Sequence, residues 1–310
     1  MPTLEHEVLG TDLAALVMTT VGARLVGVAP ITGLPSATLG RATFRLEFAD
    51  GRVLKGRRFD TAADAERVEL LTRALGLRSL PRVWARQGAA LLEDWIPGVP
   101  LDSAAPSLPR FREAGALLGA IHRAVTPLFA PGALPPAVEA PPSVDARRAA
   151  TVRGIDGLAR LRLVTAATAQ RLQTLVDAHA PSDHDTARPQ RGIVHRDFCA
   201  ENIVLAPDGQ LWAVDNGTLT MDAYDFDLGR TWYRWPMTLE QWSVFAHGYR
   251  RHRGTEVFAA HFPFWAISVL VEAALFRHQA AAPGALEPIR RLDALLGAVE
   301  RGDARTWPTV

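Results

Sequence analysis

Asp197, Asn202 and Asp215 are the residues of this 310-residue chain whose types and spacing speak most directly of chemistry. Asp197 and Asn202 fall in Val194-His-Arg-Asp-Phe-Cys-Ala-Glu-Asn-Ile-Val-Leu205, and Asp215 falls in Trp212-Ala-Val-Asp-Asn-Gly217. Ile203–Leu205 is a short apolar run, Ala206-Pro207-Asp208-Gly209 a turn signal, and Leu211–Val214 a second apolar run. Together they predict a β-hairpin. Asn202 opens its first strand and Asp215 closes its second, so both oxygen ligands point into one small volume. Magnesium prefers hard oxygen ligands and commonly takes only one or two from protein, with phosphates and water completing the shell. Asp197 lies just before the pair, where a carboxylate can orient a hydroxyl for attack on a metal-bound phosphate.

The basic residues carry a second signal. The chain holds 34 Lys plus Arg, and Lys55 is its one lysine. In a chain that uses Arg wherever any cation serves, the remaining Lys marks a place where a guanidinium would not fit. Lys is a compact point charge on a flexible stem; Arg is a planar fork. Lys55 follows the turn signal Asp50-Gly51, in Gly51-Arg-Val-Leu-Lys-Gly-Arg57. Strand alternation puts Val53 on the same face, where it could cover a purine ring.

Around these residues the pattern predicts an α+β chain of two parts. Residues 1–96 read as a smaller, strand-rich part, with strands at Leu25–Ala29 and Thr43–Phe48 and one main helix, Thr61–Leu75, capped by Asp60 or Thr61. Residues 97–310 read as mainly helical, with helical spacing over Leu108–Val125, 150–179, Glu240–Arg250 and Phe262–His278. Hydrophobic residues make up 48%, enough for a full core, and the net charge of +1 makes no case for nucleic acid or an anionic membrane. The apolar stretch Phe262–Phe276 is broken by Glu272 and too short for a membrane span. The single Cys199 excludes an internal disulfide and suits a reducing compartment, so the expected location is cytoplasmic. The opening residues have neither the basic nor the apolar region of a signal peptide.

His195-Arg-Asp197, four residues, Asn202 and then Asp215 with Gly217 resembles the catalytic loop and metal motif of the protein-kinase-like superfamily. The resemblance implies a bilobal protein-kinase-like fold, with an antiparallel-sheet N-lobe carrying one main helix and a larger helical C-lobe. It also implies ATP and Mg2+ as cofactors. Asp197 becomes the catalytic base, Asn202 and Asp215 the magnesium ligands, and Lys55 the strand lysine on the α- and β-phosphates. Two glutamates, Glu66 and Glu69, could pair with that lysine; Glu66 is preferred because Leu70 and Leu71 follow it as apolar residues follow the family glutamate. Gly33–Gly40 sits where a kinase phosphate loop would, and Ser36 or Thr38 could donate to phosphate there. Glu93-Asp-Trp-Ile96-Pro-Gly looks like an interlobe hinge whose backbone groups near Glu93 and Ile96 would read the adenine edge.

Several departures separate the chain from protein kinases. Cys199 stands where Ser/Thr kinases place a lysine, Ala-Pro-Glu is missing, and only Asn216–Phe226 separates Asp215 from Asp227. Asp227, in Tyr-Asp-Phe-Asp-Leu-Gly-Arg230, matches an aspartate of the aminoglycoside phosphotransferase/choline kinase-like family, where it braces the catalytic-loop backbone. His195 and His122 read as structural support. The expected activity is therefore phosphoryl transfer from ATP to a hydroxyl of a small molecule. Glu201, Asp222 and Asp225, with Trp232, Tyr233 and Trp235, would suit an amine-bearing acceptor such as an aminoglycoside or amino alcohol. A protein kinase, or a nucleotide-binding pseudokinase without turnover, is the alternative. Acceptor identity, ATP or GTP preference and oligomeric state are not legible.

Overall fold

The computed structural model describes residues 8–31, 42–123, 134–182 and 190–303; Ser36 and Thr38 lie outside them. The chain forms two compact units, and neither is continuous in sequence. The first takes its described residues from Met1–Ala105, Ala124–Glu139 and Ala200–Thr220; the second takes Pro106–Arg123, Ala140–Cys199 and Met221–Val310.

The first unit begins with helix α1 (Thr11–Thr20), whose spacing was not legible as an element. Strands β1 (Leu25–Pro30), β2 (Ala42–Phe48) and β3 (Val53–Arg58) follow, then helix α2 (Ala62–Leu75), β4 (Val83–Gln87) and β5 (Ala90–Asp94). The five strands form one antiparallel sheet in the order β1-β2-β3-β5-β4. Strand alternation divides β3 into two faces. Leu54 joins a core with Leu13 and Leu16 of α1 and Phe44, Leu46 and Phe48 of β2. Gly56 is on that same face, where a Cβ would press on Leu46 and Leu13. Lys55 and Arg57 therefore share the opposite face. Helix α2 is capped by Thr61, whose hydroxyl accepts the Asp64 N–H at 3.1 Å, and it ends at Gly76 in the left-handed conformation.

Strand β6 (Val99–Pro100) leads to helices α3 (Leu108–Arg123), α4 (Val144–Arg160) and α5 (Ala166–His179), and then to β7 (Arg191–Val194). The expected hairpin follows as β8 (Ile203–Leu205) and β9 (Leu211–Ala213), in the register Ile203↔Ala213, Val204↔Trp212 and Leu205↔Leu211. It belongs to the first unit, where β6 joins its outer edge. Strand β10 (Thr220–Ala223) pairs with β7.

Five helices complete the second unit: α6 (Tyr224–Arg234), α7 (Leu239–Tyr249), α8 (Glu256–Ala260), α9 (Phe262–Gln279) and α10 (Glu287–Glu300). Helix α9 is apolar and buried over Phe262–Val271, and Glu272 interrupts the run. Among the described residues no helix is long and apolar enough to cross a membrane. Helices α3 and α7 cross at glycines: a Cβ on Gly115 would meet the Phe245 carbonyl, and one on Gly248 the Arg112 carbonyl. That close approach brings the ends of both helices, His122 and Tyr249, into contact.

Candidate active site

In the first unit, the register of the sheet decides which charges meet. Lys55 of β3 lies directly opposite Glu93 of β5, and its ammonium is 3.2 Å from Glu93 Oε1. Glu93 is buried to 1% exposure. The carboxylate partner of Lys55 is thus Glu93 rather than Glu66. The other candidate, Glu69, accepts from Arg86 at 2.7 Å and lies 2.9 Å from Arg73. Glu93 itself therefore serves this set through its side chain, whereas the resemblance had cast it as a backbone reader.

Arg57, two residues along the strand, is a participant that sequence reasoning missed. Its guanidinium is buried, donates to Asp215 Oδ1 at 2.7 Å, and approaches Glu93 Oε1 at 3.6 Å. Lys55 stands 4.0 Å from the same Asp215 oxygen. Two cations and two carboxylates thus form one buried or half-buried set. Burial pulls the Arg57 pKa down, but Asp215 and Glu93 more than offset it and hold it above its ordinary value. The available signal was period 2: Arg57 follows Lys55 onto the same strand face.

The hairpin delivers Asp215. The Val214 N–H donates to the Asn202 carbonyl at 2.9 Å, so Asn202 and the residue before Asp215 are tied together. Asp215 has φ 61° and ψ 44°, a left-handed conformation that Asp tolerates better than most side chains. Lys55, Arg57, Asn202 and Asp215 line a cavity of about 750 Å3. Trp95, Ile96, Val204 and Val214 add apolar surface to it, and Glu201 a further carboxylate. Val53 and Glu66 are not among its lining residues. A cavity with apolar surface and several charged side chains among its lining suits a nucleotide. The amide oxygen of Asn202 and the carboxylate of Asp215 are hard donors that fit a magnesium ion finishing its shell with phosphates.

In the second unit, Asp197 accepts from Arg234 Nε of α6 at 2.9 Å, and Arg234 Nη2 is 3.8 Å from Cys199 Sγ. A cation therefore reaches Asp197 from a distant helix, though none stands two residues after it in sequence. The residue before Asp197, Arg196, has φ 63°. Its strained backbone is over-determined: Asp227 Oδ1 accepts its N–H at 2.8 Å, and the Arg230 guanidinium donates to its carbonyl. Asp227 Oδ2 accepts the His195 N–H at 2.9 Å and contacts His122 Nε2 at 3.0 Å. His122 Nδ1 meets the Tyr249 hydroxyl at 2.7 Å. A neutral imidazole donating to Asp227 and accepting from Tyr249 satisfies both contacts. Burial lowers the His122 pKa against the opposing pull of Asp227. Burial works to raise the Asp227 pKa, but the hydrogen bond and charge of His122, with His195, hold it below the ordinary value.

The residues expected to receive an amine differ in their surroundings: Glu201 is exposed and lines the cavity, whereas Asp222 and Asp225 of the second unit are buried. Asp222 is buried and bound by Arg147 at 2.5 Å. Asp225 is buried, and desolvation raises its pKa to about 7. Trp235 stacks on Phe111 at 5.1 Å, and Trp232 packs edge-on against Phe262 at 5.1 Å, as core aromatics do.

A five-stranded antiparallel sheet with a lysine-bearing strand, followed by a helical part and a short β-hairpin, defines the chain as a protein-kinase-like α+β protein. It belongs to the phosphotransferase enzyme family, whose sequence profile matches residues 39–264, and is thereby a small-molecule kinase. Solved structures with this fold include choline kinase LicA from Streptococcus pneumoniae, 13% identical with TM-score 0.62 over 92% of this chain and 97% of that one. Macrolide 2′-phosphotransferase MphH from Brachybacterium faecium is 14% identical with TM-score 0.60, covering 92% and 97%. Spectinomycin phosphotransferase APH(9)-Ia, solved with ADP and spectinomycin, is 11% identical with TM-score 0.60, covering 97% and 100%. At these identities the likeness is one of fold. No curated protein sequence matches the chain.

Proposed function

We propose that the protein moves the γ-phosphate of ATP, with Mg2+, to a hydroxyl of a small organic molecule. The observation that carries this reading is that Lys55, Arg57 and Asp215 line one cavity together with apolar residues, and that Glu93 pairs with both cations. Lys55, steadied by Glu93, would hold the α- and β-phosphates, and the apolar lining near Trp95 and Ile96 would take the base. Asn202 and Asp215 would hold magnesium, which when bound would offset phosphate charge. Asp197 would accept a hydrogen bond from the acceptor hydroxyl and orient it, while Arg234 keeps the carboxylate in one rotamer. Ser36 would add a donor to phosphate. His195 and Asp227 would act at one remove, by fixing the backbone that carries Asp197.

The acceptor is read only as a small-molecule hydroxyl, because two of the three carboxylates expected to draw an amine, Asp222 and Asp225, are buried. The test is Mg-ATP-dependent ADP release across aminoglycosides, amino alcohols, sugars and nucleosides, with Asp197→Asn as control. Turnover with one class, lost in the control, supports the reading and names the acceptor. Phosphate appearing on added protein but on no small molecule would favour a protein kinase. Tight nucleotide binding without turnover on any acceptor would favour a pseudokinase.

A further inference from the structure

Arg57 has features that a purely structural arginine does not need. It is buried to 9% exposure yet lines the cavity that holds Lys55 and Asp215. Its Nη1 is buried and makes no hydrogen bond among the described residues, although a guanidinium offers five donors. Its Nη2 is committed to Asp215, the carboxylate read above as a magnesium ligand. Gly217 makes room for it: a Cβ at that position would fall on Arg57 Nη2. A side chain so placed has one donor satisfied by Asp215, while Nη1 lies 3.6 Å from Glu93 Oε1, an ion pair too long for a hydrogen bond.

We infer that Arg57 is a second phosphate-binding cation of the nucleotide site and that it changes partner when the nucleotide binds. Without nucleotide it occupies Asp215 and competes there with the divalent cation. With Mg-nucleotide bound, Asp215 serves the metal and the guanidinium serves the phosphates. Planar guanidinium binds phosphate oxygens in pairs, as Lys55 cannot, so the two cations of β3 divide the work between point charge and fork. The inference rests on the nucleotide-binding reading given above, and it adds to it a residue and an exchange.

The exchange has a signature that a structural role lacks, because it moves two affinities in opposite directions. Mn2+ binding to nucleotide-free protein is followed by electron paramagnetic resonance, and Mg-ADP binding by calorimetry. Arg57→Met should tighten Mn2+ binding about threefold or more, because a competing cation has gone from Asp215. The same variant should weaken Mg-ADP about tenfold or more, because a charge-assisted contact to phosphate is lost. Gly217→Ala, which displaces the guanidinium without removing it, should move both affinities the same way by less. Arg57→Lys should keep the competition for Mn2+ and lose most of the Mg-ADP contribution. If Arg57→Met fails to fold, as judged by circular dichroism, the Gly217→Ala and Arg57→Lys pair carries the comparison. Parallel weakening of Mn2+ and Mg-ADP, or no change in either beyond twofold, would overturn the exchange while leaving a nucleotide-binding wild type intact. Wild-type protein that binds no nucleotide with or without Mg2+ would overturn both this inference and the reading beneath it.

Discussion

At the scale of single residues, the arrangement around Lys55 turns on shape as much as on charge. Lys55 is 11% exposed, and its ammonium shares Glu93 Oε1 and Asp215 Oδ1 with the Arg57 guanidinium. A second guanidinium in that space would have to stack beside the first with like charge against it. Lys55→Arg should therefore lower kcat/KM for ATP about a hundredfold with an unchanged melting temperature, although the formal charge is kept. Near-normal turnover in that variant would remove Lys55 from the phosphate site. The partner assignment separates two glutamates. Glu66→Gln should leave ATP kinetics within about twofold of wild type. Glu93→Gln should raise the KM for ATP and cost about 3 kcal/mol of stability, because two buried cations lose a shared carboxylate. The reverse ranking would return the pairing role to Glu66. The lone lysine itself was conspicuous in the sequence. Its true partner was not, because Glu66 and Glu93 are equally acidic on paper and only strand register tells them apart.

At the scale of elements, each unit has its own positioning device. The first is the hairpin of β8 and β9, whose register binds Asn202 to the residue before Asp215 through a local turn, Pro207-Asp-Gly209. Local turn chemistry and apolar runs sufficed to read it from sequence. The second is the packing of α3 on α7, which seats His122 and Tyr249 against Asp227 and so holds the backbone of His195 and Arg196. It depends on two helices approaching closely enough that Gly115 and Gly248 touch backbone. Gly248→Ala should cost about 2 kcal/mol or more by overpacking, and it should lower kcat through the loosened catalytic loop while the KM for nucleotide stays near wild type. Equal melting temperatures for variant and wild type would show that the crossing is looser than described. Helix α1 and strand β4 had no comparable sequence signal; their residues are helical or extended because of what they pack on.

At the scale of the whole molecule, three buried titrating groups set how stability responds to pH. The pKa of His122 is lowered in the folded protein, so stability from it is present above 6.5, its ordinary value, and is lost as pH falls through the folded value. Asp227, also lowered, acts in the same sense further into acid. Asp225 works the other way. Its carboxyl titrates at about 7 when folded and at 3.8 in its ordinary state, so its contribution is present below 3.8 and is lost as pH rises through 7. Asp225→Asn should therefore match wild type in melting temperature near pH 4 and exceed it increasingly up to pH 8. A difference that does not change with pH would mean that Asp225 is not buried as a neutral acid.

Chain order alone determined the chemistry that depends on neighbours in sequence. Asn202 and Asp215 sit at the ends of one short hairpin, so their spacing and turn residues bring them together without help from distant segments. Strand alternation likewise put Lys55 on a defined face. Tertiary structure decided everything that depends on which remote segment lies alongside. It paired Lys55 with Glu93 across β3 and β5, brought Arg57 to Asp215 over 158 residues, and set Arg234 on Asp197. It also buried Asp222, Asp225 and Trp235, whose composition had suggested an open acceptor site. The reason is physical: burial and long-range register follow from how elements pack, and a charge or an aromatic ring has no fixed role until that packing decides whether it meets solvent, a partner or the core.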